Sequence, residues 1–138
     1  MRCFFLISVV ILLFGCNKKE LQQDESVHEP VVGLNSIVSL SDIKAKTNSG
    51  VSLIFFHASW CSVCQAQRPV VTAVATDQEL SEVFFGEVEY DDYPDILEYY
   101  NVEGFPVIIV LNNGVEVSRL NGGGHSSIDI KNLLIENL

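Results

Sequence analysis

Cysteine, methionine, tryptophan and positive charge are all scarce in this chain. Its 138 residues include four Cys, one Met and one Trp, and eight Lys and Arg stand against 18 Asp and Glu. The formal net charge is −10. So few cations, spread along the chain, offer no basic face to neutralise phosphates, which excludes nucleic acid as a partner. The same acidity serves solubility and disfavours close approach to anionic lipid headgroups. No apolar run reaches the about 20 residues that a bilayer-spanning helix needs. No internal repeat is present. There is no second Cys-x-x-Cys, which counts against a closed four-ligand zinc site. The acidic run Glu87, Glu89, Asp91, Asp92, Asp95 lacks the Gly and closing Glu of a calcium loop and reads as a helix cap and solvated loop. Gly122-Gly123-Gly124 has no phosphate-loop Lys and reads as a flexible turn. What is present, 48% hydrophobic and 19% charged residues, suits a globular chain with one modest core.

The N-terminus stands apart. Arg2 is a lone cation, Phe4 to Phe14 (FFLISVVILLF) is almost wholly apolar, and the polar run NKKELQQDES follows Gly15-Cys16. A short basic start, a short apolar core and a small residue at the cut match an export signal over residues 1–15. The ending Leu13-Phe14-Gly15-Cys16 resembles the lipobox of bacterial lipoproteins. The resemblance implies that Cys16 takes a lipid on its sulfur and becomes the new N-terminus, anchoring the chain to a membrane. The alternative is an ordinary signal or short anchor ending nearby. In the lipobox reading Cys3 leaves with the signal, and Cys61 and Cys64 are the remaining thiols of an exported, extracytoplasmic protein. There a dithiol persists as a disulfide or cycles.

Residues 16–34 lack sustained periodicity and read as a lipidated N-terminus and flexible tether, reaching roughly 20–25 Å. Residues 35–138 read as the folded domain. SIVSL from Ser36 is a short strand, and Ser41-Asp42 are positioned to cap a brief helix. Val51 to Phe56 (VSLIFF) has the near-continuous apolar run of a strand buried on both faces. The helix after the cysteines places Val63, Ala66, Val70, Ala73 and Val74 on one apolar face. Val83 to Tyr90 is a further strand. Pro94 to Tyr100 is a short helix with Asp91 and Asp92 as caps. Val107 to Leu111 and Val115 to Leu120 flank Asn-Gly, the signature of a primed hairpin turn. Ser126 and Asp129 form a capping box for a last helix, with Ile130, Leu133, Leu134 and Leu138 as its buried stripe. Strands alternating with helices imply parallel pairing, and the hairpin implies an antiparallel edge. The expected class is α/β: one mixed sheet with helices on both faces.

Cys61 and Cys64 fall where a buried strand hands over to a helix. The unpaired N–H groups and positive dipole end of a first helical turn favour a thiolate. Cysteines so placed have pKa values of about 3.5–7.5, against about 8.5 for a free thiol. The thiolate is the attacking species in disulfide exchange. A spacing of three returns Cys64 to the side of Cys61, where it can resolve a mixed disulfide.

The segment FFHASWCSVCQAQRP resembles the active-site region of the thioredoxin family: an aromatic strand end, Ala58, Trp60-Cys61-x-x-Cys64, and Pro69 five residues on. A second element, Tyr100-Asn101-Val102-Glu103-Gly104-Phe105-Pro106 followed by a strand and Asn-Gly, looks like that family's Gly-x-Pro segment. The resemblance covers Ser36 to the C-terminus. It implies a thioredoxin-like fold and a monomeric thiol–disulfide oxidoreductase that needs no cofactor. Its partners would be protein thiols and disulfides and an upstream redox partner. It further implies a Cys61–Cys64 redox disulfide, a cis Pro106 facing the pair, and a Phe105 backbone that ladders with an extended substrate. Trp60 beside Cys61 would offer a flat substrate contact.

Two departures from the family's pattern bear on proton transfer. The position of its buried Asp is Phe55, and that of its accompanying Lys is Glu87. Glu87 is therefore expected as a substitute proton acceptor for Cys64, a buried carboxylate with a raised pKa. The competing reading is a partly solvated glutamate at a strand end. His57 precedes Cys61 by four residues. Protonated, it would lower the Cys61 pKa; its plain reading is a packing or surface residue. Arg68 reads as a solvated helix charge. Two other functions fit the same cysteines: a copper or zinc module completed by His57 or His125, and a redox-inert binding module that keeps the fold as a scaffold.

Overall fold

A computed structural model describes residues 33–138. The lipobox-like segment, Cys16 and all but the last two residues of the expected tether lie outside the described residues.

The apolar run VSLIFF forms strand β2 (Val51–His57), buried at every position. It lies at the centre of a five-stranded sheet of order β1-β3-β2-β4-β5. Its parallel neighbour is β3 (Phe84–Glu89), which in turn pairs in parallel with the two-residue β1 (Asn35–Ser36). On the other side β4 (Val107–Asn112) runs antiparallel to β2, and β5 (Val115–Asn121) runs antiparallel to β4. The β4–β5 turn carries Asn113 at φ 50° and Gly114 at φ 76°, the two left-handed positions that a primed hairpin turn requires.

Because side chains alternate along β2, the strand serves two cores. Leu53 and Phe55 point to one, where Val71 and Val74 of α2 (Ser62–Ala75) and Ile130 and Leu134 of α4 (Ser127–Ile135) close over them. Ile54 and Phe56 point to the other, covered by Ile43 of α1 (Leu40–Thr47) and Ile96 and Leu97 of α3 (Pro94–Tyr99). Helices thus cover both faces of a mixed sheet, as the element order implies.

Several boundaries differ from the sequence reading. Leu34, assigned to the tether, packs against the first core. The first strand ends at Ser36, and Val38 is exposed. The N-cap of α1 is Ser39, not Ser41 or Asp42. Its hydroxyl accepts from Asp42 N at 3.0 Å, while the Asp42 carboxylate turns back to accept from Val38 N. Neither Asp91 nor Asp92 caps α3. Its N-cap is Tyr93, with no side-chain bond, and Pro94 at the first turn has no N–H to satisfy. The Ser126–Asp129 capping box is present at α4, but Leu138 lies beyond the helix end and is exposed.

The buried face of α2 is rotated from the expected one. Cys64, Gln67, Val71 and Val74 face the core, while Val63, Ala66 and Ala73 face out. The reason is Gln67. Its Nε2 donates to His125 O at 2.9 Å and its Oε1 accepts from His125 N at 3.0 Å. An amide with both ends satisfied can occupy a core position, and a count of apolar residues cannot see this.

Candidate active site

Cys61 is the N-cap residue of α2, in extended conformation, and its sulfur accepts from Cys64 N at 3.1 Å. Cys61 is part-buried, whereas Cys64 is 2% exposed. The Cα atoms are 5.2 Å apart and the sulfurs are joined as a disulfide. An attacking group arriving from solvent therefore meets Cys61, and Cys64 waits on the inner side.

Around the disulfide stands an aromatic platform. Trp60 is 64% exposed, packs edge-on to Phe105 at 5.5 Å, and donates Nε1 to Asp91 at 2.8 Å. Tyr90 lies 4.6 Å from the same Phe105 ring. The Phe105–Pro106 peptide bond is cis, the geometry the resemblance implies. Gly123 occupies the gap between Val63 and Pro106: a Cβ built there would lie 2.5 Å from Val63 Cγ1 and 3.8 Å from Pro106 Cγ. The glycine thus lets the loop before α4 sit against the dipeptide between the two cysteines. Gly123→Ala is expected to destabilise the fold by about 1–3 kcal/mol through this overlap. Val63→Ala in the same chain should recover most of the loss. Urea denaturation of the two single variants and the double variant measures both effects.

The Thioredoxin family model matches residues 40–136. The chain belongs to the thioredoxin family. It is 35% identical to a thioredoxin of Chlamydia caviae over 86 residues, covering 62% of this chain and 82% of that one. It is 36% identical to a thioredoxin of Mycoplasma genitalium over 93 residues, 67% of this chain and 86% of that one. Among solved structures, thioredoxin from Malassezia sympodialis superposes with a TM-score of 0.70 at 21% identity, over 79% of this chain and 94% of that one. A mutant thioredoxin from Halobacterium salinarum gives 0.71 at 22% identity, over 79% and 93%. Membership of the thioredoxin family together with the joined Cys-x-x-Cys pair makes this chain a protein thiol–disulfide oxidoreductase.

Within this thioredoxin fold, the surroundings of Cys64 depart from the sequence reading. Phe55 is fully buried beneath the active site, and His57 stacks on it with ring centres 5.2 Å apart. In the parallel register Phe55 pairs with Glu87 and His57 with Glu89. Arg68, expected as a solvated charge, keeps 39% of its side chain exposed but turns its guanidinium onto Glu87 and His57. Its Nη1 is 2.5 Å from Glu87 Oε2 and its Nη2 is 2.8 Å from His57 Nε2. The imidazole lies between two carboxylates, with Nε2 3.4 Å from Glu87 Oε2 and Nδ1 3.4 Å from Glu89 Oε2. Glu89 also accepts from Ser59 N at 2.9 Å, tying β3 to the loop before Cys61.

The raised pKa expected of Glu87 is reversed. Burial pushes its carboxyl up, but the nearby His57 ring and the charge and hydrogen bond of Arg68 outweigh burial and hold it below the usual glutamate range. A carboxylate so held stays ionised at neutral pH and is a poor proton acceptor. The sign of its pH linkage follows: a lowered folded pKa contributes stability above the unfolded value, and that contribution is lost as pH falls through the folded value. Arg68→Gln removes a charge that holds Glu87 down. Its Glu87 resonance should titrate at higher pH than in the wild type by carbon-13 NMR. The stability gap between the two proteins should be full at neutral pH and close in acid.

The sequence reading missed Arg68, Glu89, Asp91, Gln67 and Gly123. Arg68 carried a usable signal, since its spacing of four from Cys64 puts both on one helix face. His125, the other candidate metal ligand, is held through its backbone by Gln67 and its ring nitrogen lies 3.2 Å from Asn121 O. Among the described residues no group of three or more His, Cys, Asp and Glu side chains is arranged to hold a metal ion. The metal-binding reading therefore finds no third ligand among them.

Proposed function

We propose that this oxidoreductase works on the outer side of a bacterial membrane, anchored through a lipid on Cys16, where it exchanges disulfides with proteins of the cell envelope. The observation that carries the exchange itself is the disulfide with its outward member at a helix N-cap, beside an exposed Trp and a Phe105–Pro106 edge. A groove of about 570 Å³ beside that edge is lined by Glu103, Phe105, Pro106, Arg119 and Asn121. An extended chain there would align its own sulfur with Cys61, the geometry that in-line exchange requires. An external dithiol or disulfide must reset the pair after each turnover, so an upstream redox partner belongs to the cycle. The envelope location is supported by the Leu-Phe-Gly-Cys ending of the apolar N-terminal segment and the polar stretch after it.

Two measurements test the parts separately. Insulin reduction coupled to an external dithiol tests the exchange, and absence of any acceleration would remove it. Labelling with a radioactive fatty acid in a bacterial host tests the anchor. The wild type should carry label and sediment with membranes, and Cys16→Ser should do neither. A soluble, unlabelled wild type would end the envelope proposal and leave the chemistry intact.

A further inference from the structure

Cys64 presents a physical problem. At 2% exposure its thiol has almost no contact with bulk water, yet resolving a mixed disulfide requires it to lose a proton, and the reverse reaction requires it to regain one. Phe55, directly below in the same core, offers no polar atom. Cys64 does line a cavity of about 470 Å³, which it shares with His57, Arg68, Glu87, Glu89 and Tyr93. The proton leaves or enters by that cavity or by bulk water at the protein surface.

We propose that His57 is the group that takes the proton from Cys64 and returns it, across the cavity both residues line. The inference rests on the oxidoreductase reading. The charge balance of the cluster supports it. With a neutral imidazole, the cluster of Arg68, Glu87 and Glu89 carries one net negative charge; a proton on His57 brings it to zero. Arg68 is a donor only, and its Nη2 lies 2.8 Å from His57 Nε2 and 3.3 Å from Nδ1, so the shorter contact favours the neutral tautomer with its lone pair on Nε2. In that tautomer the ring proton is on Nδ1, facing Glu89 Oε2. When Nε2 takes a proton, its new N–H faces Glu87 Oε2 and replaces the bond from Arg68 Nη2, while Arg68 keeps Nη1 on the same carboxylate. The carboxylates of Glu87 and Glu89, each 3.4 Å from a ring nitrogen, flank the imidazolium on both sides. Tyr93 and Asp92 also line the cavity; Tyr93 is part-buried and Asp92 exposed.

The step balances. The Cys64 thiol gives its proton to His57. Its sulfur forms a bond to Cys61 Sγ, and the Cys61–substrate S–S bond breaks, so that the substrate leaves as a thiolate. His57 then passes the proton to that thiolate or to water. The substrate sulfur is reduced and the Cys61–Cys64 pair is oxidised, with no further reactant.

The test is the pH dependence of mixed-disulfide resolution, followed by stopped flow, in wild type and His57→Gln. The wild-type rate should rise with pH along a single limb and then level off. In His57→Gln that limb should vanish and the rate at neutral pH fall by about a hundredfold. The rate of Cys61 alkylation in the same variant should hold, which separates a lost proton acceptor from a lost nucleophile. Superimposable profiles would overturn the proposal. Glu89→Gln supplies an independent readout. Removing one of the flanking carboxylates should shift the limb to lower pH, and an unmoved limb also overturns the proposal, even if His57→Gln fails to fold. Absence of mixed-disulfide formation in every protein, wild type included, would instead count against the oxidoreductase reading.

Discussion

Cys61→Ser is expected to abolish disulfide reduction, whereas Cys64→Ser keeps the first half of the reaction and stalls in a stable adduct with its substrate. The two sulfurs are three residues apart yet occupy different environments. Cys61 caps α2, receives the Cys64 backbone N–H, and is accessible from the side of Trp60. Cys64 lies one turn inward, closed off from solvent. The helix end stabilises negative charge on the first sulfur, and burial disfavours it on the second, so nucleophile and resolver are assigned by position. Mass spectrometry of Cys64→Ser mixed with an oxidised protein substrate should find a one-to-one disulfide adduct, and insulin turbidity should show no turnover for either variant. In the reduced wild type, iodoacetamide at neutral pH should reach Cys61 well before Cys64. Equal rates, or an adduct on Cys64, would undo the assignment.

The second large effect is on stability. Phe55→Ala should cost about 3–5 kcal/mol, the range for deleting a fully buried aromatic side chain. A domain of this size has about 5–15 kcal/mol to lose. Phe55 is completely buried in the core that α2 and α4 close, under the His57 ring, with the Arg68 guanidinium carbon 5.8 Å from its ring centre. The cavity left would undercut both the core and the floor of the charged cluster. The urea midpoint should fall by more than about 1 M, since the denaturant slope of small proteins is about 1–3 kcal/mol per M. A shift of a few tenths of that would mean that neighbouring side chains collapse into the space.

The features legible in the sequence were those that one short segment decides by itself. The run VSLIFF, the Asn-Gly turn, the Ser126–Asp129 box and the Cys-x-x-Cys at a strand-to-helix junction each need only a few adjacent residues. What was not legible depends on register between distant segments. Glu87 and Glu89 come to face His57 because β3 pairs in parallel with β2 at one offset out of several, and a single slip would exchange their faces. The resemblance pointed to a buried Glu87, but the sign of its pKa shift hinges on Arg68, which arrives from another element. The face of α2 was misjudged for a related reason: the partner of Gln67 is 58 residues away.

The paired amide of Gln67 and His125 carries a consequence for the triplet Gly122-Gly123-Gly124. Gly122 and Gly124 adopt the left-handed backbone that favours glycine, with φ 77° and 86°. A run of three glycines is ordinarily read as a source of motion. Here the next residue, His125, is latched to a core side chain and the middle glycine is wedged between Val63 and Pro106, so these residues supply shape. Amide exchange at His125 should accordingly be slow. A rim already rigid before a substrate arrives loses little disorder on contact, which leaves more of the encounter energy for orienting the incoming sulfur.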